Sequence, residues 1–173
     1  LKNSNINFIV SSTLPRAKKT AEICQTALQL PHQLTPALIE RNFGSWQGKY
    51  IDEVKLDNNY QAIFHQVSTF APPNGESGFD CSARFHQALI DITTTYEVDH
   101  KNIHNVLVVS HGDILRCFLS TMVERFSDEQ AVNTQNKAFD NGCIFKVSYD
   151  TQAKIFTLIS TLDITQVTPE KII

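Results

Sequence analysis

Asn105-Val106-Leu107-Val108-Val109-Ser110 runs without a break into His111-Gly112-Asp113 and then into the stretch from Ile114 to Val123. The four residues Val106 to Val109 are all aliphatic, with no polar alternation, which predicts a strand buried on both faces. The stretch from Ile114 predicts a helix, and Asp113 supplies a favourable negative charge to its first turn. A doubly buried strand that passes directly into a helix belongs to a parallel or mostly parallel sheet covered by helices. In such sheets ligands bind outside the carboxyl ends of the strands, so the turn at 110–113 is a natural place for chemistry.

Upstream, Ile6 to Ser11 (INFIVS) reads as a second short buried strand. A helix start comes directly after it. Ser12 or Thr13 can cap, Pro15 fits the first turn, and Ala17, Ala21, Cys24 and Leu28 recur at helical spacing until Pro31 stops the pattern. A further helix is signalled at Gly75-Glu76-Ser77, with Ser77 as the cap, Asp80 three residues on, and Phe85, Leu89, Ile92 and Tyr96 along one face. Downstream, Cys143 to Tyr149 and Ile155 to Leu162, separated by Asp150 to Lys154, read as two strands joined by a turn. With no repeat, low-complexity tract or linker in the chain, residues 1–173 are expected to form one α/β domain. Its predicted architecture is a three-layer sandwich with a mostly parallel central sheet flanked by helices.

Composition sets the limits on function. The chain is 42% apolar and 19% charged, the profile of a globular domain able to bury a core without disulfides or a structural metal. A formal charge of −3 provides no basic field for a nucleic-acid backbone or an anionic membrane. An anionic ligand must therefore be gripped locally. The longest apolar runs fall far short of the ~20 residues that span a bilayer, and no secretory signal is visible. Cys24, Cys81, Cys117 and Cys143 lack C-x-x-C spacing and read as reduced, mostly buried thiols of a cytoplasmic protein.

Four segments carry candidate chemistry. In Ser11-Ser12-Thr13-Leu14-Pro15-Arg16, an arginine stands in the opening turn of a helix, where the macrodipole disfavours a cation unless an anion binds beside it. Its guanidinium suits a bidentate grip on a phosphoryl group, although a solvated surface arginine is the plain alternative. His111 is a candidate acid, base or nucleophile, or else a hydrogen-bonded core histidine. Gly112 after it lets backbone N–H groups approach a ligand. No carboxylate or cysteine stands at helical spacing from His111, which disfavours a metal. Glu40, in the loop from Leu38 to Gly48 that holds the sole Trp, is a proton donor if burial or a nearby anion perturbs it, or else the partner of Arg41 in a salt bridge. Asn141-Gly142 reads first as a turn.

Taken together and in order, these segments resemble the histidine phosphatase superfamily, the phosphoglycerate mutase-like fold. Ser12, Leu14, Arg16, Ala17, Thr20, Ala21 and Glu22 are similar to its S-x-L-x-R-A-x-x-T-A-E block. Leu38, Glu40, Phe43, Gly44, Trp46 and Gly48 are similar to L-x-E-x-x-F-G-x-W-x-G, and Pro73, Gly75, Glu76 and Ser77 to P-x-G-E-S. Val108 to Gly112 are similar to the second-histidine motif, with Arg116 a few residues on. The resemblance implies a cofactor-free, two-step phosphoryl transfer through a phosphohistidine, acting on a small phosphorylated substrate. Arg16 and His111 would clamp the phosphoryl oxygens. Glu40 would protonate the leaving oxygen and then help to activate water, since a carboxyl group beside a bound phosphate is pushed toward its protonated form. Ser12, Gly112 and Asn141 would line the substrate site.

One departure from the pattern matters most. The family's nucleophile is the histidine of an Arg-His-Gly motif ending a first central strand, and none of His32, His65, His86, His100 or His104 stands in that context. The expectation is a chain whose leading segment, with that strand and nucleophile, lies upstream of Leu1, so that 1–173 alone is inactive. The 70 residues between Glu40 and His111 are compact, which resembles the phosphatase branch. Mutase-type transfer and a non-catalytic phospholigand- or protein-binding relative are the alternatives. Specificity is expected from Tyr50 to Pro73 and from Phe126 to Asp140, with Phe64, Phe70 and Phe79 packed in the core or lining a leaving-group pocket.

Overall fold

The computed structural model describes residues 5–99, 105–123 and 141–162. Its first strand, β1 (Phe8–Ser12), is buried at every position, as an aliphatic strand covered on both faces must be. It pairs in parallel with β2 (His32–Thr35) on one edge and β3 (Val106–Val109) on the other, giving the order β2-β1-β3. The helix α1 (Pro15–Leu28) connects β1 to β2 and packs against all three strands. On the other face, Phe8 and Val10 enter a core with Cys81, Phe85, Leu89 and Ile92 of α3 (Gly78–Asp99) and Ile114, Cys117 and Phe118 of α4 (Gly112–Val123). The α/β sandwich is thus a parallel sheet with helices on both sides. No helix among the described residues is long and apolar enough to cross a membrane.

Several boundaries and burials differ from the sequence reading. The first strand occupies 8–12 rather than 6–11. Its succeeding helix is entered through Leu14, with no side-chain cap; Ser12 Oγ instead accepts from Leu14 N at 3.2 Å. The cap of α3 is as expected, with Ser77 Oγ accepting from Asp80 N at 3.0 Å. The strand β2, with sequence His-Gln-Leu-Thr, carried no apolar signal because it is a short edge strand. Most consequential is β3, which is half-buried throughout rather than buried on both faces. Among the described residues it is paired only on its β1 edge.

Strands β4 (Ile144–Asp150) and β5 (Ile155–Leu162) form an antiparallel hairpin bonded to each other and, among the described residues, not to the central sheet. Asp150 Oδ1 closes its turn by accepting from Gln152 N and Ala153 N. Between β2 and α3 lies a loop-rich segment with a short helix α2 (Ile51–Val54), in which Trp46, Val54, Tyr60 and Ile63 make a small core of their own. Phe64, Phe70 and Phe79 are partly exposed rather than core residues, with Phe64 stacked on Tyr60. Of the cysteines, Cys81 and Cys117 are buried, while Cys24 and Cys143 are partly exposed. The whole of the expected specificity segment Phe126 to Asp140, and His100 and His104, lie outside the described residues.

Candidate active site

Because β1 and β3 run in parallel and pair in register, Ser11 opposite Val109, their carboxyl ends reach the same edge of the sheet. The turns that leave the two strands are thereby brought together. Ser12 closes β1 and His111 lies just past β3, and His111 Nε2 hydrogen-bonds Ser12 Oγ at 2.8 Å. Both residues are buried. Leu14 N–H donates to the same oxygen, so the serine hydroxyl that meets the ring is held from the backbone as well. Burial first, and then the positive charges of Arg16 and Arg84, push the pKa of His111 down to about 4.

A cavity of about 870 Å³ opens beside this pair, lined by Arg16, Glu40, His111, Gly112 and Asn141 among others. Five of the six residues singled out from the sequence therefore line one cavity. Ser12 is the sixth, and it stands behind the histidine as its hydrogen-bond partner. Arg16 lies exposed in the first turn of α1, which carries no acidic residue, and none of the ion pairs among the described residues involves it. A Cβ added at Gly112 would meet nothing within 4 Å, so the backbone there borders open space. No group of three or more His, Cys, Asp or Glu side chains that could hold a metal is present among the described residues.

Glu40 is not the surface salt-bridge partner of Arg41. Its Oε1 accepts from Ile114 N at 2.9 Å and from Arg41 N at 3.0 Å, and its Oε2 from Asp113 N at 3.4 Å. The carboxylate thus sits on the N-terminal turn of α4, where backbone N–H groups lack partners within the helix. The Arg41 guanidinium is buried and turns away, donating to Ile63 O and Glu76 O and pairing with Asp113 at 3.5 Å. Asp113 also holds Arg116 at 2.6 Å.

Two glycines explain why the Glu40 loop and the 72–77 loop sit together. Gly44 has φ +51°, and a Cβ there would collide with the Pro73 carbonyl and Gly75 N; one at Gly75 would lie 2.6 Å from Asn42 O. The backbones touch, and only glycine permits it. Sequence reasoning missed Arg84, which donates to Ala37 O and Ile39 O and forks onto Glu76. A signal was present: Arg84 interrupts the apolar stripe Cys81, Phe85, Ala88, Leu89 and Ile92, and an arginine inside a core stripe demands buried acceptors.

Comparisons with known proteins place the chain in a family. Residues 1–161 match the family model described as histidine phosphatase superfamily (branch 1). A 2,3-bisphosphoglycerate-dependent phosphoglycerate mutase of Bartonella henselae is 33% identical over 147 residues, covering 78% of this chain and 67% of that protein. An adenosylcobalamin/alpha-ribazole phosphatase of Escherichia coli is 26% identical over 125 residues, 71% of this chain and 59% of its own length. Relatives of this chain thus include both phosphatases and mutases, and the chain spans 67% and 59% of the length of these two. Among solved structures, a mycobacterial glucosyl-3-phosphoglycerate phosphatase in complex with inorganic phosphate superimposes with a TM-score of 0.73 at 21% identity, covering 90% of this chain and 76% of that one. At that identity the likeness speaks to the fold.

Proposed function

The chain belongs to the histidine phosphatase superfamily, branch 1, and from that membership we propose that it is the substrate-gripping part of a phosphatase that hydrolyses phosphate monoesters of a small molecule through a phosphohistidine. The observation that carries the reading is the convergence of Arg16, Glu40 and His111 on one cavity at the carboxyl ends of β1 and β3. Cationic and N–H donors converging on one site are what a transferring phosphoryl group requires.

In the first step a histidine nitrogen attacks phosphorus, the N–P bond forms, the P–O bond to the leaving group breaks, and Glu40 passes its proton to the departing oxygen. In the second, water attacks phosphorus, Glu40 takes the water proton, and the N–P bond breaks to release inorganic phosphate. Arg16 and His111 hold the non-bridging oxygens throughout, with Ser12 fixing the ring of His111. Gly112 and Asn141 border the same space. The attacking histidine belongs to an Arg-His-Gly strand that this reading seats against the β3 edge opposite β1. In support, the cavity is lined by β3 along its whole length, Val106 to Val109, and by Cys143, Ile144 and Phe145 at the start of the hairpin.

The compact spacing between Glu40 and His111 favours hydrolysis over mutase transfer. The test is hydrolysis of p-nitrophenyl phosphate by the complete encoded protein. His111→Ala and Arg16→Ala are each expected to lower kcat/KM by about 100-fold or more, and the 173-residue chain alone to give no turnover. Near-parental rates in both variants would refute the assignment. A complete reading frame without an Arg-His-Gly strand would replace it with a phospholigand-binding module.

A further inference from the structure

Glu40 can serve as an acid only if its carboxyl group is aimed, and it lies in a loop that has no regular strand or helix of its own between Leu38 and Gly44. Something outside that loop must fix it. Backbone N–H groups hold the Glu40 carboxylate itself, and Ser110 Oγ donates to Leu38 O. The carbonyls of Ala37, Ile39 and Glu40 converge on a single side chain of α3. Arg84 Nη1 donates to Ala37 O at 2.8 Å and to Ile39 O at 3.1 Å, and Nη2 reaches Glu40 O at 3.5 Å.

The same guanidinium grips Glu76 with two bonds, Nη2 to Oε1 at 2.6 Å and Nε to Oε2 at 3.2 Å. Glu76 then closes the loop from the other side. Its Oε1 accepts from Asn42 N at 2.8 Å, and its own N–H donates to Asn42 O at 2.9 Å. The backbone on both sides of the Glu40 side chain is therefore clamped to one ion pair, whose partners are only 26% and 18% exposed. A planar fork can meet a carboxylate and two carbonyls at once, and a lysine ammonium cannot reproduce that geometry.

We propose that the Arg84–Glu76 pair is the positioning device of the proton donor, setting Glu40 against the N-terminal turn of α4 and toward the leaving oxygen without itself touching substrate. The proposal rests on the reading of Glu40 as the acid, and it assigns Glu76 of the P-x-G-E-S loop a role in alignment.

Leaving-group dependence provides the test. An alkyl phosphate such as glycerol phosphate needs its departing oxygen protonated, whereas p-nitrophenolate leaves readily unprotonated. In the complete encoded protein, the ratio of kcat/KM for the alkyl substrate to that for p-nitrophenyl phosphate reports the first transfer. Arg84→Lys is expected to lower that ratio about 10-fold and Glu40→Gln about 100-fold, the scale of general acid catalysis. In the Glu40→Gln background, Arg84→Lys should change the ratio no further. A merely structural role would depress both substrates together, leave the ratio at its parental value, and overturn the proposal. So would an effect of Arg84→Lys that survives undiminished in Glu40→Gln.

An independent readout needs no activity. The Ile114 amide, which donates to Glu40 Oε1, should lose hydrogen-exchange protection in Arg84→Lys while amides later in α4 keep theirs. Unchanged protection at Ile114 would sink the positioning role whatever the kinetics. If Glu40→Gln itself leaves the ratio unaltered while Ile114 responds to Arg84→Lys, the fault lies with the acid assignment rather than with the clamp.

Discussion

At the scale of single residues, His111 carries the clearest electrostatic signature. Its ring is held neutral by burial and by the charges of Arg16 and Arg84, which place its pKa at about 4 against an ordinary 6.5. Between those values the unfolded chain binds more protons at this residue than the folded one, so stability rises with pH there. The contribution is present in full above 6.5 and is lost as pH falls through 6.5 toward 4. His111→Gln removes the titration while keeping an amide to meet Ser12. The urea midpoint of the parent is expected to fall more steeply than that of His111→Gln between about pH 7 and pH 4.5; parallel curves would show that the histidine is not held neutral. The residue was legible in the sequence because it comes after a strand whose apolar pattern is local. Its partner Ser12, 99 positions away, was noticed as a helix cap and substrate contact, and only the parallel pairing of β1 with β3 reveals what it holds.

At the scale of elements, the site is built by loops that touch through their backbones. Around them, Arg41, Arg84 and Arg116 face Glu40, Glu76 and Asp113, a balanced set in which each charge is paired or hydrogen-bonded. Sequence spacing could not show this set, because its members come together across separations such as the 72 positions from Arg41 to Asp113. What the sequence did expose were the glycines that make the approach feasible. Gly44 has both a positive φ and the Pro73 carbonyl where a Cβ would stand, whereas Gly48 has φ +78° in open space. Gly48→Ala should therefore cost only the strain of a left-handed backbone, about 1 kcal/mol. Gly44→Ala adds a collision between two backbones and should cost roughly 2–4 kcal/mol. Urea unfolding of both variants checks the difference, and equal losses would mean that the two loops do not rest on each other.

For the molecule as a whole, the question is what keeps the β4–β5 hairpin in place when no ladder among the described residues joins it to the central sheet. The strands, the helix α4 and the hairpin were all readable as local patterns, whereas the gap between β3 and β4 was legible only through the resemblance, which implies a further central strand, since the open edge of a strand leaves no mark on its own sequence. The answer lies in aromatic packing. Phe156 of β5 is buried against Phe118 of α4 at 5.7 Å between ring centroids, with Phe85 of α3 at 5.1 Å beyond it and Tyr149 stacked at 4.3 Å. A hairpin anchored by side chains keeps its place without a ladder, and the space between it and β3, which the proposed function gives to the Arg-His-Gly strand, adjoins Arg16, Glu40 and His111. If the anchor is Phe156, truncating it removes the main attachment: Phe156→Ala should cost about 3–5 kcal/mol. Ile159 gives the control, because it lies on the same strand at 54% exposure and at the irregularity where Lys146 pairs with Ser160 and Val147 with Leu158. Ile159→Ala should then change stability by no more than about 0.5 kcal/mol. Chemical denaturation of the two variants decides it. A Phe156→Ala loss no larger than that of Ile159→Ala would mean that the hairpin is held by something other than this aromatic chain.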